Sequence, residues 1–127
     1  MIFGIGTDIV AVERIAAALE RHGPAFAERI LSATEMAEFT ANAHPARFLA
    51  KRFAAKEAFA KATGQGLRHP VGFQQMTVAH DELGKPLLQA DVELQGHLAR
   101  LGAGRCHLSI SDEREMVAAF VVIESAN

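Results

Sequence analysis

The chain has 127 residues, half of them apolar, and a formal net charge of -2. That length supports one domain with a substantial core and is too short for two ordinary ones, so residues 1–127 read as a single domain. The near-neutral balance argues against bulk nucleic-acid binding and disorder. One cysteine excludes an internal disulfide framework, and the lack of a leader-like or membrane-length apolar run predicts a soluble cytoplasmic protein with no membrane partner.

Ile2 to Val12 mixes β-branched residues with Gly4 and Gly6, which suits a strand lying close to other backbone, with Asp8 inside it or at its end. From Glu13 to Leu31 the apolar positions Ile15, Leu19, Phe26 and Ile30 fall at helical spacing, and Gly23-Pro24 divides the run into two helices. Ser32 and Glu35 have the spacing of a capping box that starts a third. Pro45 opens the longest helix and Gly64 closes it, so Pro45 to Thr63 spans roughly 28 Å at about 1.5 Å per residue.

A glycine-rich loop, Gly64-Gln65-Gly66, follows. Gly72 to His80 and Pro86 to Ala90 read as strands around the turn Asp81 to Lys85, and Val92 to Leu101 has helical spacing. Arg105 to Ser111 and Met116 to Glu124 read as a closing hairpin. In its first strand His107, Ser109 and Ser111 face one way and Cys106, Leu108 and Ile110 the other. Val117 to Ile123 is almost wholly apolar, so both its faces are expected to be covered, by core or by another subunit. The elements together predict an α+β fold.

Charge is unevenly spread. Residues 1–68 carry nine basic and seven acidic side chains, against four and eight in 69–127. Between His44 and Arg68 lie Arg47, Lys51, Arg52, Lys56, Lys61 and Arg68, with Glu57 the one acid. At about 100° per residue, Glu57, Lys61 and Gly64 share one stripe of the helix. Spacing alone favours an ordinary exposed i, i+4 ion pair, worth about 0.3–0.5 kcal/mol, and the setting of a glycine-rich loop and surplus basic residues argues against it. Asp8 adds a second carboxylate in an apolar segment, where it needs a cation, hydrogen-bond donors or solvent. Two carboxylates suit magnesium, which keeps waters and takes further ligands from substrate phosphates, and Lys61 could neutralise charge on those phosphates.

Other chemistries fit poorly. Gly4-Ile5-Gly6 would need its third glycine at Ile9 and a full strand before it, so a dinucleotide fingerprint fails. The six histidines show no zinc-type pairing, and the adjacent Cys106 and His107 project to opposite faces of a strand.

Gly4-Ile5-Gly6-Thr7-Asp8-Ile9-Val10 and Arg52-Phe53-Ala54-Ala55-Lys56-Glu57-Ala58 with Lys61-Ala62 together resemble the paired signature of the 4'-phosphopantetheinyl transferases, in their short bacterial type, the holo-[acyl-carrier-protein] synthases. Arg29-Ile30-Leu31-Ser32 with Glu35, Gly84-Lys85-Pro86 and His107-Leu108-Ser109-Ile110-Ser111 extend the likeness over nearly the whole chain. The resemblance implies an antiparallel sheet packed with one long helix and several shorter ones. It implies a reaction that moves the phosphopantetheine arm of coenzyme A onto a serine of apo acyl carrier protein, releasing adenosine 3',5'-bisphosphate, in support of fatty acid biosynthesis.

By the same resemblance Asp8 and Glu57 bind Mg2+, and Glu57 and Lys61 are catalytic, Lys61 contacting a phosphate. Gly64, Gln65 and Gly66 shape the loop near the nucleotide, and Ser109 and Ser111 line the adjoining cleft. Short members are homotrimers with active sites between subunits, and they dock the acidic carrier protein on the first helix, where Arg14 and Arg21 stand here seven apart. Many members have a histidine after the Ser-x-Ser segment, where this chain has Asp112, so that histidine's role does not transfer. The general base is left among Glu57 with a water, a metal-bound water and a water held by Glu35. A non-catalytic module of the same fold is the alternative, disfavoured by the intact Asp8, Glu57 and Lys61.

Overall fold

The computed structural model describes all of residues 1–127. Strand β1 (Ile2–Ala11) leads into helices α1 (Val12–His22), α2 (Pro24–Ile30), α3 (Ala33–Thr40) and α4 (Pro45–Thr63). A short 3-10 turn (Phe73–Gln75) precedes β2 (Met76–His80) and β3 (Pro86–Ala90), and α5 (Val92–Leu101), β4 (Ala103–Asp112) and β5 (Met116–Ser125) complete the chain. The fold is α+β, with an antiparallel sheet in the order β1-β5-β4 and a separate antiparallel hairpin, β2-β3.

The local reasons are those the residues supply. Gly23 at φ 65° separates α1 from α2, whose first residue is Pro24. The Ser32 side chain accepts from the Glu35 backbone N–H, and the Glu35 carboxylate accepts from the Ser32 backbone N–H, closing both halves of the capping box. Pro45 opens α4, and Gly64 ends it in the left-handed region at φ 80°, where a side chain would be strained.

The expected strand over Gly72 to His80 is shorter than that. Met76 pairs with Ala90 at the end of the ladder, and Asp91 donates its N–H to the Gln75 carbonyl at 2.9 Å while its side chain caps α5 by accepting from the Leu94 N–H. Ahead of that last bond Phe73–Gln75 winds into the 3-10 turn.

Helix α4 is the axis of the core. It is buried nearly all round, which fits its alanine-rich composition, and it crosses the inner face of the sheet. That face carries Gly4, Gly6, Asp8 and Val10 of β1 in register with Ile123, Val121, Ala119 and Val117 of β5. The contact with β1 is backbone against backbone. A methyl group at Gly4 would run into the Ala62 carbonyl oxygen, and one at Gly6 into the Ala58 carbonyl oxygen with the Ala62 nitrogen at 2.7 Å.

The sheet's other face is open in the single chain, so only half of the expected covering of β5 is supplied by the core. Val117, Ala119, Val121 and Ile123 are buried, whereas Phe120 is 53% exposed, with Ile5 and Ile9 of β1 at 70% and 64% on the same side. No helix is long and apolar enough to cross a membrane.

Gly6→Ala is expected to destabilise the protein by about 2 kcal/mol or more, because the obstruction is backbone and cannot rotate away. Urea denaturation of the variant beside the wild type measures this, and an unchanged midpoint would contradict the close approach.

Candidate active site

Asp8 is on the inner face of β1 just beyond the glycine contact, and Glu57 and Lys61 are successive turns of α4 at the edge of that contact. The Lys61 ammonium lies 3.1 Å from Asp8 Oδ1 and donates to the Thr7 carbonyl at 3.0 Å. Burial, and next the negative charge of Asp8, hold the Glu57 carboxyl above the usual glutamate range, against the opposing pull of Lys61. Lys61 thus pairs with Asp8, and Glu57 is close enough to feel both charges.

The donor set fits a hard divalent cation that keeps open positions. Two oxygen ligands from protein are too few for a closed cage but suit magnesium, and the crowding of Asp8 on Glu57 is what a cation would relieve.

After α4, the Gly64–Gly66 loop is tied down from two sides. The Gln65 N–H donates to Thr63 Oγ1, and the Gln65 amide oxygen lies 2.7 Å from Nε2 of His97 on α5. The space beside Gly64 and Gly66 is open. Arg14 and Arg21 are exposed on α1.

Ser109 and Ser111 do not join this group within one chain. Ser109 pairs with Phe120 and Ser111 with Ala118, and these residues in turn pair with Thr7 and Ile9, so both serines lie on the open outer face. Asp8 is on the inner one.

The basic run of α4 divides into three sets. Arg47 donates to Asp112 at 3.3 Å and to the carbonyls of Glu113 and Arg114, and Lys51 lies 3.8 Å from the same Asp112. Asp112 thus ties the β4–β5 turn to the start of α4. Arg52 and Lys56 point inward, which the sequence reading missed: long cationic side chains give no periodic signal of burial. Arg52 stacks over the Phe48 ring at 4.0 Å, and Lys56 meets Glu35 Oε1 at 2.5 Å with neither side chain exposed. Lys61 makes the third set, with Asp8.

Glu35 is thereby removed as a holder of catalytic water. It is fully buried, one oxygen accepting from Ser32 N–H and Lys56 and the other from the Val78 N–H.

The sequence matches the family model described as the 4'-phosphopantetheinyl transferase superfamily over residues 4–121, and the chain belongs to that family. Within it, the similarity is to holo-[acyl-carrier-protein] synthases. The protein of that name from Nitrosomonas europaea is 56% identical over 124 residues, 98% of this chain and 99% of the relative. The crystal structure of the synthase from Neisseria meningitidis superposes with a TM-score of 0.96 at 50% identity, covering 98% of this chain and all of that one. A Bacillus anthracis synthase, solved in complex with CoA (3',5'-ADP), gives 0.82 at 38% identity and 98% of each chain.

The raised Glu57 pKa sets a sign for stability. The folded chain binds that proton more tightly than the unfolded one, so the carboxylate costs stability as pH rises above the ordinary glutamate value, and the cost is fully present once pH exceeds the folded pKa. Glu57→Gln, in EDTA at pH 7, is therefore expected to unfold at the same urea concentration as wild type or higher. A clear fall in midpoint would mean that the ionised Glu57 stabilises the fold.

Proposed function

We propose that this chain transfers the 4'-phosphopantetheine moiety of coenzyme A to a serine of apo acyl carrier protein. The products are holo acyl carrier protein and adenosine 3',5'-bisphosphate, in support of fatty acid biosynthesis in the cytoplasm. The observation that carries the reading is the meeting of Asp8, Glu57 and Lys61 at the margin of the α4–β1 contact in a member of this family.

In the reaction the carrier serine oxygen attacks the phosphorus bearing the pantetheine arm, the bond from that phosphorus to the bridging diphosphate oxygen breaks, and the bisphosphate leaves. The chemistry is mostly positioning and neutralisation of phosphate charge. Asp8 and Glu57 would hold Mg2+, which supplies positive charge to the diphosphate. Lys61, here held by Asp8 and the Thr7 carbonyl, would turn to a phosphate and stabilise the leaving oxygen. Glu57 acting through a water is the base for the serine proton, since Glu35 is committed elsewhere. Gly64, Gln65 and Gly66 form the loop against the nucleotide, with open space beside both glycines.

Residues 1–127 act as one domain and assemble as a homotrimer through the apolar outer face of the sheet around Ile5, Ile9 and Phe120. Ser109 and Ser111, on that face, would then serve the site of a neighbouring subunit. The acidic carrier docks on α1 through Arg14 and Arg21, a contact weakened by salt.

Apo carrier protein incubated with coenzyme A, Mg2+ and this protein is expected to gain one phosphopantetheine by mass spectrometry; no gain would sink the reading. Asp8→Ala and Glu57→Gln are expected to lower the rate by at least about 10²-fold. Near wild-type rates in both would refute the cation site. Arg14→Glu should weaken carrier binding more than coenzyme A binding, and the reverse order would put Arg14 at the nucleotide. Sedimentation of a stable, active monomer would overturn the trimer.

A further inference from the structure

Resting on that transfer reaction, we propose that Lys56 is a positioning residue, held by Glu35, which sets both the direction in which Glu57 leaves α4 and the place of Phe73 beside it.

The Lys56 ammonium is wholly buried, and it makes three hydrogen bonds to three different segments. It donates to the Ile30 carbonyl at the end of α2 at 2.8 Å, to Glu35 Oε1 on α3 at 2.5 Å, and to the Phe73 carbonyl in the 3-10 turn at 2.9 Å. An ammonium has three protons, so its donors are used up. The anchor is itself anchored: Glu35 accepts from the N–H groups of Ser32 and Val78, and Thr77 Oγ1 donates to Ser32 Oγ at 2.8 Å. One carboxylate therefore joins α3, β2 and α4.

Stability alone gives little reason to keep a cation there. Taking an ammonium and its partner carboxylate out of water is costly, and an apolar side chain of similar volume would fill the site without that cost. What three fixed acceptors add is direction. An apolar residue tolerates rotation of the helix, whereas Lys56 holds α4 at one angle about its own axis. Glu57 is the next residue, about 100° further round, and that angle brings it beside Asp8.

Phe73, fixed through its carbonyl, stacks on Phe53 with ring centroids 5.7 Å apart. Phe53 lies one turn before Glu57 on the same stripe. A single ammonium thus sets the angle of the acid and the position of the aromatic pair next to it.

Lys56→Met, Glu35→Gln and the double variant, assayed with apo carrier, coenzyme A and Mg2+, test this. Lys56→Met is expected to lower kcat by about 10²-fold with the KM for coenzyme A within about threefold of wild type. The double variant, which removes the buried Lys56–Glu35 pair and leaves Arg52 with Glu38, should regain part of the thermal stability lost in Lys56→Met and keep the low kcat. Recovery of kcat together with stability would overturn the proposal and leave Lys56 a purely structural role. A folded Lys56→Met protein with kcat within about threefold of wild type would do the same, as would a raised KM at unchanged kcat.

Should Lys56→Met fail to fold, Glu35→Gln decides, since it keeps the size of the side chain and a carbonyl acceptor. About a tenfold fall in kcat at constant KM supports the proposal, and an unchanged kcat overturns it. Wild-type protein that modifies no carrier would instead refute the transfer reaction itself.

Discussion

Helix α4 and strand β1 touch through their backbones, and everything at the site depends on that contact. Gly4 and Gly6 present no side chains to the helix, and Ala58 and Ala62 present methyl groups only, so the two elements approach more closely than larger residues would allow. Asp8 comes two residues after Gly6 on the same face of the strand, and Glu57 and Lys61 border Ala58 and Ala62 on the helix. Asp8 meets Lys61, with Glu57 near enough to feel its charge, because the surfaces between strand and helix have been reduced to backbone. The same contact buries α4, which in turn obliges the polar residues of that helix to find partners inside the protein or at its edge.

Those partners explain what seemed an excess of positive charge. Arg47 and Lys51 secure the β4–β5 turn through Asp112, at a half-exposed position where ion pairs add little energy. Arg52 and Lys56 gather around Glu35 in the core, where a pair is costly to form and costlier to break. Lys61, half exposed, has one carboxylate to itself and a second nearby. A basic helix has become a set of separate electrostatic tasks, and the last of them is the one at the proposed site.

Much of this was legible in the residues. Proline and glycine punctuation marked α4 from Pro45 to Thr63, and the capping box of Ser32 and Glu35 announced α3, because these signals act within a few residues of chain. The pairing of Asp8 with Glu57 and Lys61 was also readable, from two motifs whose residues belong to one family signature. Tertiary facts were not. Lysine and arginine read as surface residues in any pattern of polarity, so the burial of Lys56 and Arg52 left no trace. The strand expected from Gly72 lost its first residues because its partner β3 ends at Ala90, a limit that lies on the opposite strand. Alternation correctly put Ser109 and Ser111 on one face of β4, but which face looked toward Asp8 depended on a register across β5 that neither strand contains alone.

The glycine and alanine contact has one more consequence. Two residues of strand advance about 6.6 Å, and four residues of helix about 6.0 Å. The interval from Gly4 to Gly6 therefore nearly equals that from Ala62 to Ala58, and the two elements mesh at a matching pitch. Sliding either by one residue would set a glycine gap against the wrong part of the helix. Sliding along the axis is thus resisted at β1, and rotation about the axis at Lys56, the two motions of the helix that would most directly carry Glu57 away from Asp8.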